Sequence, residues 1–217
     1  MYIIIHMELS TQYEVGVDEV GRGCLFGPVV ACAVVMPLDL DDEHPLLKQI
    51  KDSKKLSEKK RYILEDYIKK TALSYGFGIC DHKTIDTINI LQASLRAMHH
   101  AITDVYRDCL DNNKPIFEKI LVDGNHFKPY IPPGEDQDVI HYECIEQGDN
   151  KKLNIAAASI LAKCYRDRWI LEQCEFNNLL NRYDLKKNKG YGTAKHIKGL
   201  REFGPIEGHR LTFGKVL

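Results

Sequence analysis

No stretch of the 217 residues approaches the apolar length that a bilayer span requires, so the chain does not read as a membrane protein. Neither sign of charge is in excess. The net charge is −1 and the pI about 6.7, so the chain as a whole is not a basic nucleic-acid binder, and any positive surface has to be local. There is no Cys-x-x-Cys pair. The seven cysteines (24, 32, 80, 109, 144, 164 and 174) are odd in number and scattered, several within apolar patterns. They read as buried thiols of a reducing cytosol, and neither a disulfide framework nor a zinc site is expected. The "YIII" between Met1 and Met7 has no basic start, long apolar core or small-residue cleavage site, so a signal peptide is not expected. Repeats, low-complexity segments and linkers are also missing. One domain over residues 1–217 is expected, with 1–12 a short extension.

What is present is an ordinary globular composition, 44% hydrophobic and 28% charged, long enough for a real core. "YEVGVD" (13–18) and "PVVACAVV" (28–35) predict buried strands joined by a Gly-rich loop, and "SYGFGIC" (74–80) a third. Residues 36–45 form an acidic loop. A basic loop from Lys51 leads into a helix capped by Ser57, with Tyr62, Ile63 and Tyr67 on its apolar side. Ile88, Leu91, Leu95, Met98, Ile102, Val105 and Cys109 recur every three or four residues and predict a long amphipathic helix. Short strands at 119–123 and 139–145 follow, then helix from Leu153 to about Leu180. A last helix over 193–204 is capped by Thr193 and ended by Gly204. Three strands in an antiparallel meander, a crossover helix and a strand parallel to the first give an α/β layer with a mixed sheet of five strands.

Chemistry gathers at the strand ends. Asp18 and Glu19 close the first strand, and Asp123 closes the strand parallel to it, where sites form in open sheets. Successive strand residues point to opposite faces, so Glu19 is expected to join Asp18 only if the strand stops there. Asp149 lies between the 139–145 strand and the next helix. Four converging carboxylates repel one another unless a cation neutralises them. Hard oxygen ligands select Mg²⁺ or Mn²⁺, and two such ions suit phosphodiester hydrolysis. For Asp149 and Asp123 a helix-capping or turn role weighs as much as this one; for the Asp18–Glu19 pair the site reading is favoured. Gly21-Arg22-Gly23 offers bare backbone and a phosphate grip, although a tight turn explains most such triplets. Residues 186–201 hold six Lys or Arg and no acid, and 51–61 hold six against two acids. Tyr191, between Gly190 and Gly192, is suited to stacking on a sugar or base, and packing under its own loop is an equal alternative. Most histidines, His99 and His100 among them, are expected at the surface, while for His209-Arg210 near the end a functional role and a purely structural one are equal alternatives. Asp167 is expected to pair with Arg166 or Arg168.

The blocks "GVDEVGRGCLFGPVVACAVV", "DSKKLS", "LVDGN", "GDNKKLNIAAASILAKCYRDR", "KGYGT" and "HRLTF" together resemble the ribonuclease HII family, in its order and spacing, from about Val15 to Phe213. Phe26, where a small residue is often seen, and "GNHF" after Asp123 are the departures. The resemblance implies a ribonuclease H-like fold: an α/β five-stranded mixed sheet flanked by helices, with C-terminal helices. It implies endonucleolytic cleavage of RNA in RNA–DNA hybrids and at single ribonucleotides in duplex DNA, leaving a 3′-hydroxyl and a 5′-phosphate, with two Mn²⁺ or Mg²⁺ ions. It implies Asp18, Glu19, Asp123 and Asp149 as metal-binding acids, and Gly21, Arg22, Gly23, Lys54 and Tyr191 as substrate-binding residues. The expected partner is RNA–DNA hybrid or ribonucleotide-containing duplex DNA, with no membrane, for a monomer working in the cytoplasm in ribonucleotide excision repair or primer removal. The alternatives are the sister ribonuclease HIII, which usually carries an extra N-terminal domain where this chain has about a dozen residues, and another acid-cluster nuclease of this fold, which would lack the Gly-Arg-Gly and Tyr191 pair.

Overall fold

A computed structural model describes residues 12–41, 43–51, 53, 56–135 and 138–216. Five strands form one sheet in the order β3-β2-β1-β4-β5: β1 (Glu14–Val20), β2 (Val29–Val35), β3 (Ser74–Cys80), β4 (Lys119–Asp123) and β5 (His141–Ile145). The first three make the antiparallel meander. β4 runs parallel to β1, with Val17 opposite Val122, and β5 runs parallel to β4. The five-stranded mixed sheet read from the sequence is the observed one.

Period-two alternation divides the sheet between two helices. Val15, Val17, Ala31 and Ala33 turn to one face and pack against α2 (His82–Asp111). Cys32 and Val34 turn to the other and pack with α3 (Leu153–Phe176) and α1 (Glu58–Thr71). The small residues Ala156, Ala157, Ala158 and Ala162 let α3 lie close on the sheet. A third cluster joins Leu25 and Phe26 to Ile170, Tyr183 and Leu200, and holds α4 (Leu185–Asn188) and α5 (Ala194–Phe203) beside the β1–β2 loop. All seven cysteines are free, six of them buried. No helix among the described residues is long and apolar enough to cross a membrane.

Several local expectations need correction. Ser57 caps α1 by accepting from the Lys60 N–H at 3.4 Å, but the helix buries Leu64 and Ile68, and Ile63 is exposed. α3 ends at Phe176, and a 3₁₀ segment (Asn178–Tyr183) follows. The crossover is longer than its periodic stripe. It begins at His82 and is broken at Asn89, whose backbone (φ 66°, ψ 164°) is not helical. The Asn89 side chain accepts from the Gln92 N–H at 3.1 Å and so caps the segment 90–111. The tail is packed as well: Val216 is buried, and its N–H donates to the Phe213 carbonyl.

Candidate active site

β1 does not stop at Asp18. It runs on to Val20, pairing Asp18 with Cys32 and Glu19 with Ala31. The expectation that Glu19 joins the site by strand termination is therefore wrong. Asp18 faces α3, where Ser159 bonds its carboxylate, and Glu19 faces the α2 side by alternation. What brings them together is the end of the parallel pairing. β1 and β4 part after Val17 and Val122, and at this C-terminal edge of the sheet Asp18, Glu19 and Asp123 lie within electrostatic reach of one another. Burial raises the Asp18 pKa well above the usual carboxylate range, and the charges of Glu19 and then Asp123 raise it further. Burial also raises Glu19. Arg22 opposes that rise, its Nη1 donating to Glu19 Oε1 at 3.0 Å, while Asp123 adds to it.

Asp123 Oδ1 accepts from the Gly148 N–H at 2.7 Å. This fixes the 3₁₀ turn Gly148–Asn150, and with it the buried Asp149, against the end of β4. Asp149 Oδ1 accepts from Asn150 Nδ2 at 3.0 Å. Among the described residues, no three acidic, histidine or cysteine side chains stand close enough to hold an ion as placed. The donor chemistry nonetheless fits a hard divalent cation. Three carboxylates act on one another electrostatically, two with raised pKa values, and among the described residues the half-exposed Arg22 is the cation paired with one of them.

The Gly-Arg-Gly loop is held from beneath by two buried arginines, Arg166 and Arg210, whose carbonyl-binding role sequence reasoning missed. Arg166 donates through Nε to the Pro28 carbonyl (2.9 Å), through Nη2 to Phe26 (2.8 Å) and through Nη1 to Lys189 (2.7 Å). Arg210 donates through Nε to Gly27 (3.0 Å) and through Nη1 to Arg22 (2.9 Å). These bonds tie the 21–28 loop to the 189–191 loop, which also meet where Leu25 N–H donates to the Gly190 carbonyl at 2.8 Å. The two flanking glycines differ. Gly21 has φ +93°, and a Cβ there would sink into the Arg166 guanidinium, whereas a Cβ on Gly23 would meet nothing within 4 Å. Packing requires the first glycine. The second is bare toward solvent, as a substrate-facing backbone would be.

Tyr191 is 39% exposed, so its ring is neither free nor packed away. Burial and the neighbouring Cys24 push its hydroxyl up to about 12. Lys163 Nζ sits 5.6 Å from the ring centroid. Asp167 does not pair with Arg166 or Arg168. It binds Lys163 (2.7 Å) and Arg61 (3.4 Å), while Arg168 binds Glu65. Arg61 in turn donates to the Leu56 carbonyl at 2.7 Å, and Ser53 Oγ lies 2.9 Å from Ser159 Oγ. The basic loop is thus anchored beside Asp18, although Lys54 itself lies outside the described residues. His196 and His209 are buried, contrary to the surface expected of most histidines, with their Nε2 atoms 3.1 Å apart. The only sequence signals for these residues were a serine in an alanine run and two arginines in the quoted blocks. None reveals whether an arginine will meet carbonyls or carboxylates.

Comparison with known proteins follows the same lines. A family model described as Ribonuclease HII matches residues 15–216. The ribonuclease HII of Porphyromonas gingivalis is 44% identical over 205 residues, 94% of this chain and 90% of that protein. That of Caldanaerobacter subterraneus subsp. tengcongensis is 44% identical over 206 residues, 95% of this chain and 76% of that protein. Among solved structures, the ribonuclease H2 of Pyrococcus horikoshii OT3 is similar with a TM-score of 0.68 and 23% identity, over 94% of this chain and 95% of that one. Bst-RNase HIII in complex with Mn²⁺ follows at 0.62 and 19%, over 96% and 69%. At such identities the structures speak for the fold, which is ribonuclease H-like.

Proposed function

The chain belongs to the ribonuclease HII family, and from this premise we infer that it is an endoribonuclease that hydrolyses the RNA strand of RNA–DNA hybrids with a divalent metal cofactor. The observation that carries the reading is the mutual electrostatic effect of Asp18, Glu19 and Asp123 at the ends of β1 and β4, where each charge opposes the next. Such a cluster costs stability in a protein that makes no use of it. With Asp149 on the adjoining turn, these are the residues that would hold Mg²⁺ or Mn²⁺. The bound ions would supply an activated water and charge neutralisation at the leaving oxygen.

The chain's own groups do the rest. Arg22, whose side chain is half exposed where it holds Glu19, can turn its guanidinium to a phosphate. The bare backbone of Gly23, with Gly21 and Arg22, can bond a 2′-hydroxyl, which both donates and accepts. Tyr191 can stack on the following sugar and favour one that lacks that hydroxyl, which extends the activity to single ribonucleotides in duplex DNA. Lys54 and the lysines of 186–201 would track phosphates. The cut then falls on the 5′ side of the ribonucleotide, leaving a 3′-hydroxyl and a 5′-phosphate. A monomeric cytoplasmic enzyme of ribonucleotide excision repair fits this reading. The test is a uniform RNA–DNA hybrid with Mn²⁺, with Mg²⁺ and with excess EDTA. Cleavage in the metal-containing reactions alone supports the reading, and undiminished cleavage in EDTA refutes it.

A further inference from the structure

His196 and His209 are 0% and 1% exposed, and no step of the reaction described above uses them. Their hydrogen bonds form one chain. The Tyr191 carbonyl, which takes the Thr193 N–H at 2.8 Å, also lies 3.0 Å from His196 Nδ1. A carbonyl only accepts, so His196 carries its proton on Nδ1 and leaves Nε2 bare. That bare nitrogen lies 3.1 Å from His209 Nε2, which must then be the donor. His209 Nδ1 is bare in turn and accepts from the Ile206 N–H at 3.1 Å. The Ile206 carbonyl, 3.0 Å from the same nitrogen, already takes the His209 N–H. One order of protons therefore satisfies both rings, provided that both are neutral. Burial lowers both imidazole pKa values, and the charges that act on His209 are those of two bases, His196 and His82. Glu207, close in sequence, is exposed and pairs with Lys83 and His82. Tyr183 and Phe26 hold the His209 ring, with centroids 4.7 and 5.1 Å away. The far end of the chain is tied to the Gly-Arg-Gly loop. Phe26 and His209 form a single β-bridge, the Gly27 N–H donates to the Gly208 carbonyl at 2.9 Å, and Arg210 Nη1 donates to the Arg22 carbonyl.

We propose that His196 and His209 are positioning residues that determine specificity: a proton-ordered pair that sets the Tyr191 main chain against the Gly21-Arg22-Gly23 backbone, so that the stacking ring and the 2′-hydroxyl reader keep the spacing of one ribose-to-deoxyribose step. The proposal rests on the hybrid nuclease reading and on the role given there to Tyr191. Leu25 and Arg166 already tie the two loops, but at the carbonyls of Gly190 and Lys189, before Tyr191. Gly190 and Gly192 on either side leave the Tyr191 peptide planes room to swing. The His196 N–H removes that freedom at the Tyr191 carbonyl itself, and His209 keeps the proton on the nitrogen that donates. A displacement of about 1 Å in a positioning group can cost ~10²-fold in rate. A uniform hybrid offers a ribose at every register, so loss of the spacing falls hardest on a duplex that has one.

The test has two readouts. Long-range proton–nitrogen correlation spectra of the metal-free wild type at neutral pH read the tautomers directly. His196 should be the Nδ1–H form and His209 the Nε2–H form; any other pair of forms, or a charged ring, overturns the proposal. Function is read as the ratio of kcat/KM on a duplex with one embedded ribonucleotide to that on a uniform hybrid, in saturating Mn²⁺. His196→Leu removes the donor to Tyr191 and should lower this ratio by ~10- to 100-fold. His196→Asn puts an amide N–H where Nδ1 was and should bring the ratio back to within about threefold of wild type. Both variants lose the bond to His209, so a merely structural role would leave their ratios alike. Equal ratios in the two variants, or a wild-type ratio in His196→Leu, overturn the proposal. Should His196→Leu fail to fold, His209→Phe takes its place. It keeps a ring between Tyr183 and Phe26, strips the donor to His196, and should lower the ratio by about threefold or more; an unchanged ratio there also overturns the proposal. Absence of wild-type cleavage of both duplexes would instead count against the nuclease reading, and the tautomers would still score the chain.

Discussion

Asp18 sits 7% exposed beside two other acids. Its raised pKa means that the folded protein resists ionising it. Such a group contributes stability below its unfolded pKa, and that contribution is lost as pH rises through the folded value. Asp18→Asn should therefore stabilise the metal-free protein at neutral pH by about 1 kcal/mol or more, while lowering turnover by a factor of ~10³ or greater. Melting in EDTA and turnover in Mn²⁺ check the two halves; a variant less stable than wild type would show that the charges are already compensated. Gly21 and Gly23 make a paired test. Gly21→Ala must push Arg166 aside and hold φ near +93°, so it should cost about 2 kcal/mol or more of stability. Gly23→Ala meets open space, so it should melt like wild type and cut a single embedded ribonucleotide more slowly. Equal melting of both variants would contradict this division.

At the scale of elements, one strap recurs. The 21–28 and 189–191 loops, α5 and the tail are drawn together around Arg166, Arg210, His196 and His209. Burial holds the His209 imidazole down at about 4, with His196 and His82 adding to the effect, and lowers Arg210 to about 10. For a base with a depressed folded pKa, stability is present above the unfolded value, about 6.5, and lost as pH falls toward 4. Denaturant melts at pH 7 and pH 5 should show that loss. His209→Asn should reduce the difference between the two pH values even if it lowers stability at both; an unchanged difference would place the acid sensitivity elsewhere. The elements themselves were largely legible. Short apolar runs bounded by turn residues gave β1 to β5, and the three-four spacing of Leu95, Met98, Ile102 and Val105 gave α2, because both patterns report burial directly. Ile63 was misplaced because α1 is mostly polar with few apolar residues, and the packed partner decides which of them turn inward. The Asn89 break was invisible, since a cap within a continuous stripe leaves the periodicity intact.

Across the whole molecule, a chain of net charge −1 gathers positive groups locally, along 186–201 and on α2 around Arg96. The candidate site acids were legible as residues because strand ends can be read from apolar runs. Their mutual geometry was not, since Glu19 lies on the other face by alternation and its nearness to Asp123 depends on where β1 and β4 part, which sequence spacing does not encode. Nor were the carbonyl-bound arginines, whose role depends on two loops far apart in the chain. The most direct test of the central claim is to map, at nucleotide resolution, the products that wild type and Asp123→Asn form from a duplex with one embedded ribonucleotide in saturating Mn²⁺. The account predicts a single wild-type cut on the 5′ side of the ribonucleotide, with 3′-hydroxyl and 5′-phosphate ends, and loss of that cut by ~10³ or more in a folded variant that still binds the duplex. Cutting by Asp123→Asn at the wild-type rate, or wild-type products with a 2′,3′-cyclic phosphate, would contradict it.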